Sequence, residues 1–231
     1  MRYQVLGIGW VTPAGYGQRS EVRHFSMVSG ALPKLDQHAF FRTELPRFGR
    51  LDAYTRLGMA AIALALKDAK LDAWEEKRPI GLVSSSETGC LETDTQYFHT
   101  VLSEEGRFAS PNLFAYTLPN CMLGEASICF GLTGPVFVVQ EARHDLLAGL
   151  RAGLGMLDAG LCDTVAAGVC NAPPPERRIP FIHPSGAVFF TLQRGMDGEL
   201  GMHDGVLCWK NEPVFSLEFL MKVIGQTRQV S

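Results

Sequence analysis

Between residues 136 and 169 the chain reads as an apolar strand, a helix built on small residues, and a second strand. The helical stretch, Asp145 to Ala159, sets Gly149 and Gly153 four apart among Ala148, Ala152 and Gly155. Each glycine costs a helix interior about 1 kcal/mol relative to alanine. That cost is most easily sustained where another backbone must approach closely, which predicts a central helix. Val136-Phe137-Val138-Val139 before it and Thr164 to Val169 after it are the flanking strands. Strands alternating with helices in this way imply a mostly parallel sheet covered on both faces.

The rest of the chain extends the same alternation. Tyr3 to Gly9 is a buried strand running into a Gly/Pro-rich turn. It is not a dinucleotide fingerprint, because Thr12 stands where the third glycine is needed and Pro13 follows. Residues 18–50 mix basic, aromatic and proline residues without period and read as a surface excursion. Asp52 to Lys70 is a helix, with Leu51, Tyr54, Leu57, Ala61, Ile62 and Ala65 at helical spacing. Ile80 to Ser84 is a short strand that opens into the polar loop Ser85 to Gly89, and Leu91 to Leu102 and Met122 to Phe130 are further helices. Gly186 to Leu192 is a strand reached through Pro173-Pro174-Pro175, and Val206 to Trp209 and Val214 to Val223 are possible extra strands. The fold class expected is α/β, with a mainly parallel five-stranded sheet covered by helices. Residues 1–194 form its body, and 195–231 form a C-terminal extension packed on the same domain.

Composition narrows the function classes. A chain of 231 residues that is 46% hydrophobic can bury a full core. Charged residues make up 19% and the net charge is −3, so there is no electrostatic footprint for nucleic acid. The six cysteines never form a CxxC pair and lie in apolar surroundings, as reduced buried thiols do. Neither a cofactor nor a metal site is expected. The first residues carry one arginine and an apolar stretch broken by Gly7, Gly9, Pro13, Gly15 and Gly17, a strand and turn instead of a signal peptide. No apolar run approaches the roughly 20 residues of a membrane span. The expected location is cytoplasmic, with no membrane partner.

Several segments together resemble a known family. Thr117-Leu118-Pro119-Asn120, Gly134-Pro135 and Cys162-Asp163-Thr164-Val165-Ala166-Ala167-Gly168 are similar to the core of the β-ketoacyl-ACP synthases, condensing enzymes of the thiolase superfamily. The opening Gly7-Ile8-Gly9-Trp10-Val11-Thr12-Pro13-Ala14-Gly15 resembles their Gly-x-Gly-x-x-Thr-Pro-x-Gly start. The resemblance covers residues 3 to 193 and implies one half of a thiolase-like fold, the N-terminal half. It also implies a reactive cysteine at position 143, where the chain has Arg143 followed by His144 and Asp145. Arginine cannot replace a thiolate, because its guanidinium stays protonated in proteins. The family takes its catalytic histidines from the second half. None of the six histidines here lies in the corresponding His-Gly-Thr-Gly-Thr pattern.

The resemblance therefore implies a catalytically inactive ketosynthase-like protein with a vestigial active-site position at Arg143, His144 and Asp145. Its role would be that of a partner or accessory subunit of a fatty-acid or polyketide-type synthase, similar to aryl-polyene systems. Chain-length-factor subunits offer a partial analogy, since they lose the cysteine but usually carry glutamine there. Ketosynthases pair through the strand equivalent to Val136, Phe137, Val138 and Val139, which implies a homodimer or a heterodimer with a full-length ketosynthase, and possible contact with an acyl carrier protein. Two other readings stay open: an acyl-thioester transferase or hydrolase using Cys121 or Cys90, and a module binding acyl-CoA or acyl-carrier phosphate. Arg143 at a helix start opposes the helix dipole and calls for an anion. Glu141, another carboxylate of the fold, or a ligand phosphate or carboxylate could supply it. The Gly149/Gly153 surface is expected to face either a folded-back tail or another chain.

Overall fold

A computed structural model of the protein describes residues 1–102, 106–173 and 183–226. Pro174 and Pro175 of the proline-rich segment lie outside them. The strands are β1 (Arg2–Thr12), β2 (Gly15–Gln18), β3 (Ile80–Ser86), β4 (Val136–Gln140), β5 (Thr164–Asn171), β6 (Gly186–Arg194), β7 (Leu200–His203), β8 (Val206–Trp209) and β9 (Glu212–Pro213). The helices are α1 (Gln37–Phe40), α2 (Ala53–Asp68), α3 (Leu91–Leu102), α4 (Pro111–Phe114), α5 (Cys121–Phe130), α6 (Ala148–Asp158) and α7 (Leu217–Gln226).

One mixed sheet runs in the order β4-β3-β5-β6-β1-β7-β8-β9, with β2 folded onto β1. Its centre is the five strands β4-β3-β5-β6-β1. The pairings β3–β4 and β3–β5 are parallel, while β6 is antiparallel to both β5 and β1. β1, β5, β3 and β4 therefore run one way and only β6 is reversed. The centre is thus the mainly parallel five-stranded sheet expected; the antiparallel strands β7, β8 and β9 from the C-terminal segment and β2 from the N-terminal turn widen it to nine.

The two faces of the sheet carry different layers, and strand alternation sorts the side chains between them. Leu82, Ala166 and Phe189 join α2 and α5 in one core, whereas Val83, Ala167 and Phe190 join α6 and α7 in the other. Asp52 caps α2, its Oδ1 accepting from the Thr55 N–H at 3.0 Å. The helix then stays buried from Tyr54 to Leu66 apart from Arg56. A Cβ on Gly7 or Gly9 would strike the Ala65 or Ala61 carbonyl of α2. Those two glycines, spaced like the start of a nucleotide loop, exist to let a helix lie on a strand.

Four expectations change. The 18–50 segment is not only a surface excursion, since Phe40, Phe41 and Phe48 are buried and Phe41 stacks on Phe130 with centroids 6.1 Å apart. The run Val214–Val223 is not a strand. Leu217, Leu220, Met221 and Ile224 recur at helical spacing and form the buried stripe of α7. The glycines of α6 face inward, because a Cβ on Gly149 would meet Ser85 and Gly168, and one on Gly153 would meet Ala167. The tail covers α6 from the other side, with Val214, Leu217, Leu220, Met221 and Ile224 packed in the same core as Leu146, Leu147, Leu150 and Leu154. Finally, α6 begins at Ala148, so Arg143 precedes the helix instead of opening it.

Candidate functional site

The turn between β4 and α6 holds the position that the sequence singled out. Backbone hydrogen bonding continues to the end of the strand, where the Glu141 N–H donates to the Ser86 carbonyl at 2.8 Å. The Glu141 side chain then turns inward and is 3% exposed. Its Oε2 accepts from Ser85 Oγ at 2.8 Å and from the Ala148 N–H at 3.2 Å, which places a carboxylate on the first turn of α6. Its Oε1 has no hydrogen-bond partner among the described residues. Glu141 is thus an internal cap for α6, not the anion facing Arg143.

Arg143 and His144 are exposed. The Arg143 carbonyl lies 3.1 Å from His183 Nε2, and the His144 and His183 rings meet edge-on at 6.1 Å. Asp145 is tied down more firmly. Its Oδ1 accepts from the Leu147 N–H at 3.1 Å, and both oxygens accept from Arg151, the shorter at 2.7 Å. Burial alone would raise the Asp145 carboxyl. The Arg151 hydrogen bonds, the Leu147 N–H and the charges of Arg151 and Arg143 outweigh it and hold the carboxyl below the ordinary range. Asp145 is thus the partner of Arg151, and the exposed Arg143 adds only the smallest of these effects. Leu146 follows with φ 58°, a left-handed conformation that costs a non-glycine residue about 1–2 kcal/mol.

Neither candidate thiol is activated. Cys90 is buried beside Asp94, its Sγ 3.7 Å from Oδ2, and burial together with the Asp94 charge pushes the thiol up to about 12. Cys121 donates to the Ala115 carbonyl at 3.2 Å. It too is raised, by burial first and then by Asp52 and Glu125. Both thiols thus have carboxylates for neighbours, the reverse of the electropositive setting that makes a thiolate.

The strand edge is the second feature. β4 ends the sheet, pairing with β3 alone among the described residues. The Leu82 N–H donates to the Pro135 carbonyl and the Glu141 N–H to the Ser86 carbonyl. Residues 137 and 139 therefore turn their backbone groups toward β3, and Val136, Val138 and Gln140 direct theirs outward. Val136 and Phe137 are also exposed at 39% and 36%. Ile128, on α5 beside β4, is more than half exposed, as are Phe114 at the end of α4 and Leu118 before α5. Apolar surface flanking an unpaired edge is what folded chains normally cover.

The family model for the β-ketoacyl synthase N-terminal domain matches residues 17–189. The chain belongs to that family. It is 32% identical over 188 residues to 3-oxoacyl-[acyl-carrier-protein] synthase 2 of Vibrio cholerae, covering 72% of this chain and 45% of the relative. The chain thus spans less than half the length of that curated relative. Among solved structures, the ishigamide ketosynthase/chain length factor superposes with a TM-score of 0.67 at 17% identity, over 86% of this chain and 64% of the other. A ketosynthase in complex with its chain length factor from Xenorhabdus doucetiae gives 0.63 at 16% identity. There the match covers all of this chain and 93% of the other, so the two are of nearly equal length. At such identities the likeness establishes the fold, the thiolase-like α/β fold expected. No helix among the described residues is long and apolar enough to cross a membrane.

Sequence reasoning weighed Glu141 only as a partner for Arg143 and missed its pairing with Ser85. The signal was present: three serines and a glutamate at the ends of adjacent apolar strands, where β propensity favours none of them. It also missed His183, which reaches Arg143 across 40 positions of sequence.

Proposed function

We propose that the chain is a non-catalytic ketosynthase-like subunit of a fatty-acid or polyketide-type synthase, similar to aryl-polyene systems. Its work is to pair with a second chain of the same fold, a full-length ketosynthase or another copy of itself. The observation that carries this reading is the open β4 edge, with Val136, Val138 and Gln140 offering outward backbone groups beside exposed apolar side chains. Arg143 at the position where the family keeps its nucleophile supports inactivity. The fold it shares with chains of ketosynthase–chain length factor complexes supports the subunit role. An acyl carrier protein would then meet the pair, with the exposed Arg143 guanidinium as a partner for its phosphate. The reading places the protein in the cytoplasm. The acyl-transferase alternative is disfavoured by the raised thiols of Cys90 and Cys121.

Val138→Pro tests the pairing. Proline deletes the outward donor while leaving the ladder to β3 intact. The variant should remain folded and lose its partner in co-purification with a ketosynthase from the same gene set, or lose self-association. Retained pairing would show that β4 is not the contact.

A further inference from the structure

The turn at 143–147 and the C-terminal helix are joined by contacts that neither the family likeness nor the proposed pairing requires. The Asp145 carbonyl accepts from the Leu217 N–H, the first of α7, at 2.8 Å. Leu146 and Leu147 are buried in the same core as Val214, Leu217 and Leu220. Leu146 is left-handed, with φ 58°. The local sequence favours the opposite outcome. Asp145 suits the first turn of a helix and the two leucines are good helix formers, so α6 would by itself start at Asp145. Within the turn the Asp145 carboxylate braces the Leu147 N–H and Arg151. What holds it open from outside is Leu217 on the Asp145 carbonyl, His183 at the Arg143 carbonyl and Glu141 on the Ala148 N–H.

We infer that α7 is a strap whose docking sets the conformation of the 143–147 turn. With α7 seated, Leu146 is held left-handed and Arg143 and His144 are presented on the surface. With α7 lifted, Leu146 relaxes, α6 extends back to Asp145, and the Arg143 and His144 side chains leave their present positions. A partner that engages the tail thereby alters what the vestigial active-site position displays. The inference is independent of pairing through β4, because strap and edge are different surfaces.

Hydrogen exchange read residue by residue on the full chain tests it. Leu217→Pro removes the donor to Asp145 at a helix position where proline is tolerated. Phe219→Ala weakens α7 more gently, because Phe219 is only partly buried. In each variant the Leu147 and Ala148 amides should exchange about ten-fold faster or more, with Ala167 in β5 unchanged, as expected of local opening. The Leu146 Cα shift should move toward helical values. Faster exchange of the Leu220 and Met221 amides with Leu147, Ala148 and the Leu146 shift unchanged would overturn the inference. Should Leu217→Pro fail to fold, Phe219→Ala gives the same two readings.

Discussion

Replacing Gly149 with alanine should destabilise the protein, whereas the same change at Gly155 in the same helix should stabilise it. Each substitution gains about 1 kcal/mol of helix propensity. At Gly155 the new methyl meets nothing within 4 Å, so the gain is kept. At Gly149 it would lie 2.7 Å from Ser85 N and well inside contact distance of the Gly168 carbonyl oxygen. Both neighbours are backbone of buried central strands, so no side chain can rotate aside and α6 must lift from β3 and β5. Overpacking of that kind costs about 1–3 kcal/mol and sometimes more. The upper part of the range applies where only backbone can yield, leaving a net loss of about 2 kcal/mol. For a domain of this size Tm moves by roughly 2–4 °C per kcal/mol. Thermal unfolding should therefore show Gly149→Ala several degrees below the wild type and Gly155→Ala a few degrees above it. Shifts of the same sign would refute the close approach of α6 to the sheet.

Other outcomes follow from the site. Incubated alone with acyl and malonyl donors, the protein should form no acyl-enzyme and no condensation product by mass spectrometry. Arg143→Cys should restore neither product turnover nor condensation, because a thiol alone lacks the basic groups that drive decarboxylation. Cys90, with its thiol raised to about 12, should react with iodoacetamide far more slowly than a free thiol at neutral pH, and rapid labelling of the native protein would contradict its buried, acidic setting. The Asp145 carboxyl is held low in the folded protein, so its contribution is present above the unfolded carboxylate range and lost as pH falls through the folded value. Asp145→Asn should accordingly lower stability at neutral pH by a margin that shrinks in acid denaturation. A margin that grows on acidification would reverse the assignment.

Much of the fold was legible because strand and helix periods were unambiguous from Ile80 to Leu192. Gly149 and Gly153 announced a close approach, but a glycine cannot say which neighbour it admits, so their inward orientation emerged only from the packing. The tail misled because Val214 to Val223 is rich in apolar residues, and the helical period shows only once Leu217, Leu220, Met221 and Ile224 are seen to share a face. At the site, Arg143 stood out against the family pattern. The reason it leaves the helix is long-range: Leu217 reaches Asp145 from across the chain, and local propensity carries no trace of that bond. Glu141 was visible as a charge, but its burial depends on Ser85, which belongs to a different strand.

The mass of the protein in solution, alone and mixed with a full-length ketosynthase from its gene set, tests the central claim most directly. Light scattering at tens of micromolar should give a dimer, or a one-to-one heterodimer that Val138→Pro dissolves. A stable monomer under both conditions would contradict the pairing role.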